Sequence, residues 1–204
     1  MKKTFKKILI AFVAVLGLAS LTGCNHANTY NKFHNNNSLL SKSHVLKEID
    51  SSDLEDLISK LKKDKKIDGA KTVKESEDEN AKSYTYIYVF LGTPTDSTAT
   101  SNAAIFDEQA KQNEISCLYW IDTELSDSKV EKLNKVLFNS AAKVESRTCA
   151  LMSIRTTVGK QDALLSFDST SVVCNKKDGV ASGRDLTAQQ IAQNCFKNLT
   201  TIIS

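Results

Sequence analysis

The chain has 204 residues, of which 27 are basic and 24 are acidic, and hydrophobic residues make up 41% of it. Four of the lysines and none of the acids lie in residues 1–23, so the rest of the chain carries a formal charge of −1. The pI near 8.5 is therefore a property of the first residues, and it does not predict nucleic-acid binding. The remaining length is enough for one domain with its own core.

The first 24 residues combine a basic start, an apolar run and a small-residue site that ends in a cysteine. Four lysines precede the uncharged stretch 8–19, and Leu21-Thr22-Gly23-Cys24 follows it. This order is typical of a secretion signal. Twelve residues rise only about 18 Å as a helix, which is too short to span a hydrocarbon core of roughly 30 Å.

The motif Leu21-Thr22-Gly23-Cys24 resembles the bacterial lipoprotein signal, in which a cysteine is acylated and the chain is cut before it. The resemblance covers about the first eighth of the chain. It implies cleavage between Gly23 and Cys24, removal of residues 1–23, and attachment to a membrane through lipid on Cys24. More than one acyl chain makes such an anchor durable. The implied location is the cell envelope. In this family an aspartate directly after the acylated cysteine commonly marks retention in the inner membrane, and Asn25 is not an aspartate, so the resemblance favours the outer membrane.

Residues 24–44 are predicted to form a tether between the lipid and the body, because the stretch 25–37 is rich in asparagine and has little to bury. The three histidines, His26, His34 and His44, all lie in this segment. A metal site there is the alternative to solvated side chains, but a disordered tether does not hold ligands in place. No metal or cofactor is therefore expected.

Residues 45–204 are predicted to form a single α+β domain, with a mixed or antiparallel sheet of about four strands, three to four helices, and the helices on one face. Capping boxes and apolar stripes predict helices that begin near Ser52, Ser128 and Thr187, and a short helix is predicted at 103–111. Stretches rich in β-branched and aromatic residues predict strands at 84–91, 115–121, 149–158 and 164–174. Residues 92–102 are predicted to be a loop. The five lysines within 60–66 are interpreted as solvated charge at a helix end, and the alternative is a binding patch.

Four cysteines remain besides Cys24, namely Cys117, Cys149, Cys174 and Cys195. An even number in an exported chain favours two disulfide bonds, with three possible connectivities. A tight turn at Gln161-Asp162 would place Arg155 opposite Asp168 and Cys149 opposite Cys174. This register predicts a Cys149–Cys174 bridge, which leaves Cys117 to pair with Cys195.

Catalytic motifs are missing from the sequence. The histidines are confined to residues 26–44, and no Gly-x-Ser-x-Gly elbow or phosphate-binding glycine loop is present. The predicted function is that of a noncatalytic envelope lipoprotein, which binds a protein partner or stabilises an assembly in the periplasm, with loop 92–102 on the binding surface. The alternative is a carboxylate-dependent hydrolase acting on peptidoglycan or another envelope polymer, and its candidate groups are Asp107, Glu108 and Glu114.

Overall fold

The structure, a computed structural model, describes residues 24–74, 82–137, 144–157, 166–167 and 187–201. In these residues, five helices and one six-stranded mixed sheet form an α+β domain, as the sequence predicts. The helices are α1 (Cys24–His34), α2 (Ser51–Lys62), α3 (Ser97–Gln112), α4 (Asp127–Leu137) and α5 (Ala188–Thr201). The strands are β1 (Leu46–Glu48), β2 (Lys71–Lys74), β3 (Ser83–Leu91), β4 (Leu118–Ile121), β5 (Ala150–Thr157) and β6 (Ser166–Phe167).

Strand β3 is at the centre of the sheet. It pairs with β5 along one side, and on the other side it pairs first with β2 and then with β4. Strands β1 and β4 run parallel to β3, whereas β2 and β5 run antiparallel to it, and β6 follows β5 at the far edge. The central position agrees with the apolar side chains on both faces of this strand.

Each face of β3 belongs to a separate hydrophobic core. Tyr86, Tyr88 and Phe90 pack on a first face with side chains of α1, α3 and α5. The side chains between them, including Ile87 and Val89, pack on a second face with α2 and α4. The expectation of helices on one face is therefore wrong, because two apolar faces both need to be covered.

The predicted tether is also wrong, since helix α1 packs against the first face. Phe33 is fully buried, and its ring centroid lies 4.8 Å from that of Trp120 and 6.3 Å from that of Phe90. Thr29, one turn earlier on the same side of the helix, is buried as well. The burial of one aromatic side chain stabilises a segment whose asparagines alone do not favour a helix.

The predicted loop 92–102 is reduced to residues 92–96, because helix α3 begins at Ser97. Asp96 caps this helix through hydrogen bonds from the main-chain nitrogens of Thr98 and Ala99, both 2.9 Å long. Ala99 and Ala103 are buried and allow the helix to lie close to the sheet. The sequence pattern missed this first part of the helix because it contains no large apolar side chain.

Helices α2 and α5 begin close to their predicted positions. Helix α2 is capped by Asp50, whose carboxylate accepts from the main chain of Ser52 and Asp53, two residues before the predicted cap at Ser52. For α5, reciprocal hydrogen bonds between Thr187 and Gln190 confirm the predicted capping box.

The register of β5 and β6 differs from the prediction by two residues. Arg155 is opposite Ser166 rather than Asp168, and Ile154 is opposite Phe167. A shift of two residues keeps every side chain on the same face, so the hydrophobic pattern does not distinguish the two registers.

The predicted bridge between Cys117 and Cys195 is wrong. Cys117 is in the core of the second face and Cys195 in that of the first, so the sheet separates them. Cys174 lies outside the described residues, so a bridge from it to Cys149 stays a prediction. The strand register from which that bridge was predicted differs from the observed register of β5 and β6. None of the helices in the described ranges has the length and hydrophobicity needed to cross a membrane.

Candidate binding site

Three helices begin at the edge of the sheet where the parallel strands end. Strands β1, β3 and β4 end at this edge, and α2, α3 and α4 follow them after short connections. We call these connections and helix starts the carboxyl edge, and the opposite end of the same strands the amino edge. In open sheets with parallel strands, ligands bind preferentially at the carboxyl edge.

The strongest candidate on this edge is the switch point between β3 and β4. These strands are neighbours, but α3 covers the first face and α4 covers the second. The connections 92–96 and 122–126 therefore separate as they leave the sheet. Such a switch point is where an open sheet forms a crevice for a ligand.

Four polar side chains from three connections meet at this switch point, and we call them the switch-point cluster: Thr93, Thr95, Glu124 and Arg147. The carboxylate of Glu124 accepts hydrogen bonds from Thr95 Oγ1 at 3.0 Å, Thr93 Oγ1 at 3.4 Å and Arg147 Nη2 at 3.3 Å. Arg147 Nη2 also donates to Thr95 Oγ1 at 3.2 Å. The Thr95 hydrogen bond, followed by the charge of Arg147, lowers the pKa of Glu124. About half of the Glu124 and Arg147 side chains is exposed, so a partner can reach both charges.

The backbone beneath the cluster is held by two hydrogen bonds to main-chain oxygens. The main-chain nitrogen of Arg147 donates to the Thr123 oxygen at 2.7 Å, and Thr123 Oγ1 donates to the Thr148 oxygen at 2.8 Å. Arg147 has a φ of 65°, in the left-handed region that non-glycine residues rarely adopt. Such a conformation persists where the surrounding contacts fix it. The position from which the guanidinium group extends is therefore well defined.

A cavity of about 300 Å³ extends the carboxyl edge toward β1, between the starts of α2 and α4. Lys132 Nζ donates to Ser52 Oγ at 2.6 Å across it. Main-chain hydrogen bonds from Asp53 and Ser52 lower the pKa of Asp50, with smaller effects from Lys132 and Lys129. The charged side chains that line the cavity are Glu48, Asp50, Asp122, Lys129 and Lys132.

The carboxyl edge is chemically suited to recognition of a polar surface. It offers hydroxyl groups, a guanidinium group, ammonium groups and carboxylates at the switch-point cluster and in the adjoining cavity. Nowhere in the described ranges do three His, Cys, Asp or Glu side chains come together as a metal site.

No family model, curated protein or solved structure matches this chain. Its function must therefore be inferred from its own residues.

The carboxylates considered for hydrolysis are not assembled around Trp120. Both oxygens of the buried Asp107 are occupied, one by the main-chain nitrogen of Val45 and the other by Lys111 Nζ, each at 2.7 Å. Glu108 and Glu114 are exposed, whereas Trp120 is fully buried and donates from Nε1 to the Gly92 oxygen. Asp107 thus joins α3 to the chain before β1.

Helix α1 places Cys24 at the amino edge. His26, two residues later, stacks on His44 just before β1 begins, with ring centroids 4.8 Å apart. Near the other end of the helix, Lys32 pairs with Glu48, the last residue of β1. The helix therefore runs from the amino edge toward the carboxyl edge. Of the remaining predicted site residues, Gly23 and Cys174 lie outside the described residues.

Sequence reasoning singled out the loop that contains Thr93 and Thr95 but missed Glu124 and Arg147. The cluster depends on the pairing of β3 with β4, and it joins residues 31 and 23 positions apart in the chain. The available signal was the order strand, helix, strand across residues 84–121. This order permits a parallel crossover, which would bring residues 92–96 beside 122–126.

Proposed function

We propose that this protein is a lipid-anchored envelope lipoprotein that acts by binding rather than by catalysis. In this proposal Cys24 is the point of membrane attachment, and the carboxyl edge is the surface that receives a partner. The observation that supports it most is the placement of Cys24 and the switch-point cluster at opposite edges of one rigid sheet.

The packing of α1 determines how an anchored body would be oriented. Eleven helical residues extend about 16 Å, and Phe33 fixes the helix on the sheet. Lipid on Cys24 would therefore hold the amino edge against the bilayer. The carboxyl edge would then point away from the membrane, where another envelope protein can approach it.

The chemistry of the carboxyl edge favours a polar protein surface as its partner. Charges of both signs line it, and complementary charges on a partner would set the orientation of binding. The outer membrane remains the preferred site of attachment because Asn25 follows the acylated cysteine. A hydrolase has less support, since the oxygens of Asp107 are occupied by structural hydrogen bonds.

The anchor is tested by the mass of the intact protein purified from cells. We expect the mass of residues 24–204 plus acyl groups on Cys24. The Cys24→Ser variant is expected to lack this addition and to leave the membrane fraction. An unmodified Cys24 or a retained leader would contradict the proposal.

The binding surface is tested by photo-cross-linking in cells, with a photoreactive residue in place of Thr95 or of Thr72. Thr95 is exposed at the carboxyl edge, and Thr72 is exposed on β2, so the two positions are matched in residue type and exposure. We expect one discrete protein adduct from position 95 and none from position 72. Adding Glu124→Gln and Arg147→Gln should reduce that adduct severalfold. Equal adducts from both positions would exclude the carboxyl edge as a specific surface.

A further inference from the structure

Helix α2 ends in a group of lysines at the amino edge. It starts beside the last residue of β1 and runs back across the second face to Lys62. We call the exposed lysines in and after its last turn the lysine end: Lys60, Lys62, Lys63, Lys65 and Lys66. Within the described parts of the chain, none of the five takes part in an ion pair.

The chain that follows the lysine end crosses the amino edge next to β4. Gly69 is packed against Cys117, the residue before β4, and Tyr119 Oη donates to the Asp68 oxygen at 2.7 Å. Lys47 of the neighbouring strand adds a positive charge beside this region, since its Nζ lies 6.0 Å from the Tyr119 ring.

Cys24 and the lysine end therefore share one edge of the sheet, although α1 and α2 cover opposite faces. Asp64 and Asp68 are the acids within residues 60–71, so five lysines of the lysine end and Lys71 outweigh two carboxylates there. A surface of this charge, held at the point of lipid attachment, would be brought close to phospholipid headgroups.

We infer that the lysine end binds the headgroups of anionic phospholipids in the membrane that holds Cys24, and so fixes the tilt of the body on the bilayer. The inference rests on the proposed anchoring of Cys24. Each lysine close to an anionic bilayer strengthens binding by roughly fivefold, and the attraction declines within a Debye length of about 10 Å at 0.1 M salt. The contact is too weak to replace an acyl anchor, but it adds an orientation that the acyl chains alone do not supply.

The test uses residues 24–204 with Cys24→Ser, so that no acyl chain contributes. Both cores lie within residues 33–196, so this protein contains the complete described core. It also retains the acidic run at 75–79, whose opposing charge is thereby part of the measurement. We expect co-sedimentation with vesicles that contain phosphatidylglycerol, weak binding to pure phosphatidylcholine vesicles, and loss of binding at 0.5 M salt.

Two double variants with the same change in net charge locate the binding surface. Lys65→Gln/Lys66→Gln should weaken binding to the anionic vesicles about tenfold or more. Lys129→Gln/Lys132→Gln, at the carboxyl edge, should change it less than twofold. Equal losses of vesicle binding in the two double variants would overturn the inference, even if Cys24 is acylated in cells. The same holds if the parent protein binds vesicles with and without phosphatidylglycerol equally well. Vesicle binding by the lysine end together with an unmodified Cys24 would instead overturn the anchor and with it the membrane role of this surface.

Discussion

His44 stacks on the ring of His26, and its Nε2 lies 3.1 Å from the main-chain oxygen of His26. The Nδ1 atoms of both rings are buried without a hydrogen-bond partner among the described residues. The pair joins α1 to the chain before β1.

The histidine pair predicts that acid weakens the docking of α1. Burial lowers the pKa of both rings, and Lys47 adds to the effect at His26. The hydrogen bond to the main-chain oxygen of His26 opposes it at His44, and Asp107 opposes it more weakly at both. A lowered folded-state pKa means that the unfolded chain binds more protons below about pH 6.5. Stability should therefore be complete above that pH and decline as the pH falls through the folded-state values.

The measurement is the free energy of unfolding in urea at pH 7.5 and 5.5. Replacing His44 with Phe keeps an aromatic ring but removes the titration, so His44→Phe should lose less stability between the two pH values than the parent. His34→Phe is the matched control on the exposed side of α1 and should behave like the parent. A His44→Phe protein with the parental pH dependence would show that other groups cause it.

The packing of Phe33 predicts a large effect in a segment whose sequence favours a tether. Truncation of a fully buried Phe to Ala costs about 3–5 kcal/mol. Phe33→Ala should lower the free energy of unfolding by that amount, and it should expose α1 to limited proteolysis. Asn31→Ala, on the exposed side of the same helix, should have little effect. Equal free energies of unfolding for the two variants would contradict the packing of α1 through Phe33 and would favour a tether instead.

The cap of α2 predicts a smaller change. Asp50→Ala removes the acceptor for the main-chain nitrogens of Ser52 and Asp53, which should cost about 1 kcal/mol. Asp56→Ala changes an exposed carboxylate within the same helix and leaves the cap intact. Urea unfolding of the two variants separates capping from loss of charge, and equal midpoints would argue against Asp50 as the cap.

Local chemistry predicted some elements well and others poorly. The two-sided apolar pattern of β3 and the Thr187–Gln190 box of α5 are encoded by adjacent residues, so the sequence alone indicated them. Helix α1 depends on contacts of Phe33 with Phe90 and Trp120, which are distant in the chain. No local pattern contains such an interaction.

The candidate site was harder to predict than the fold because pairing of distant strands creates it. Glu124 and Arg147 are unremarkable exposed charges in the sequence, and they meet Thr95 only after β4 has paired with β3. The hairpin of β5 and β6 has the converse difficulty. Its hydrophobic alternation is local, but it fits two registers equally well.

The conformation of Gly69, in the turn between α2 and β2, predicts that replacement by any residue with a side chain destabilises the protein. Its φ is 67°, and a Cβ atom there would lie 2.3 Å from Cβ of Cys117. Strain and the steric clash together should make Gly69→Ala less stable by roughly 2–4 kcal/mol, as measured by urea unfolding. Asp68→Ala keeps the main-chain oxygen that Tyr119 uses, and it should be nearly neutral. A stable Gly69→Ala protein would mean that this turn can move away from β4.

The burial of Cys117 predicts a thiol that is both unreactive and excluded from a bridge to Cys195. Burial raises its pKa to about 11, from an ordinary value of 9.0, which reduces the thiolate present at pH 8 by roughly a hundredfold. Alkylation by iodoacetamide should therefore be slow until the protein unfolds. Ser116→Cys in a Cys117→Ala background moves the thiol to the neighbouring exposed position and should react quickly. Peptide mapping without reductant should find no Cys117–Cys195 peptide, because forming that bond would require the sheet to open between its two faces.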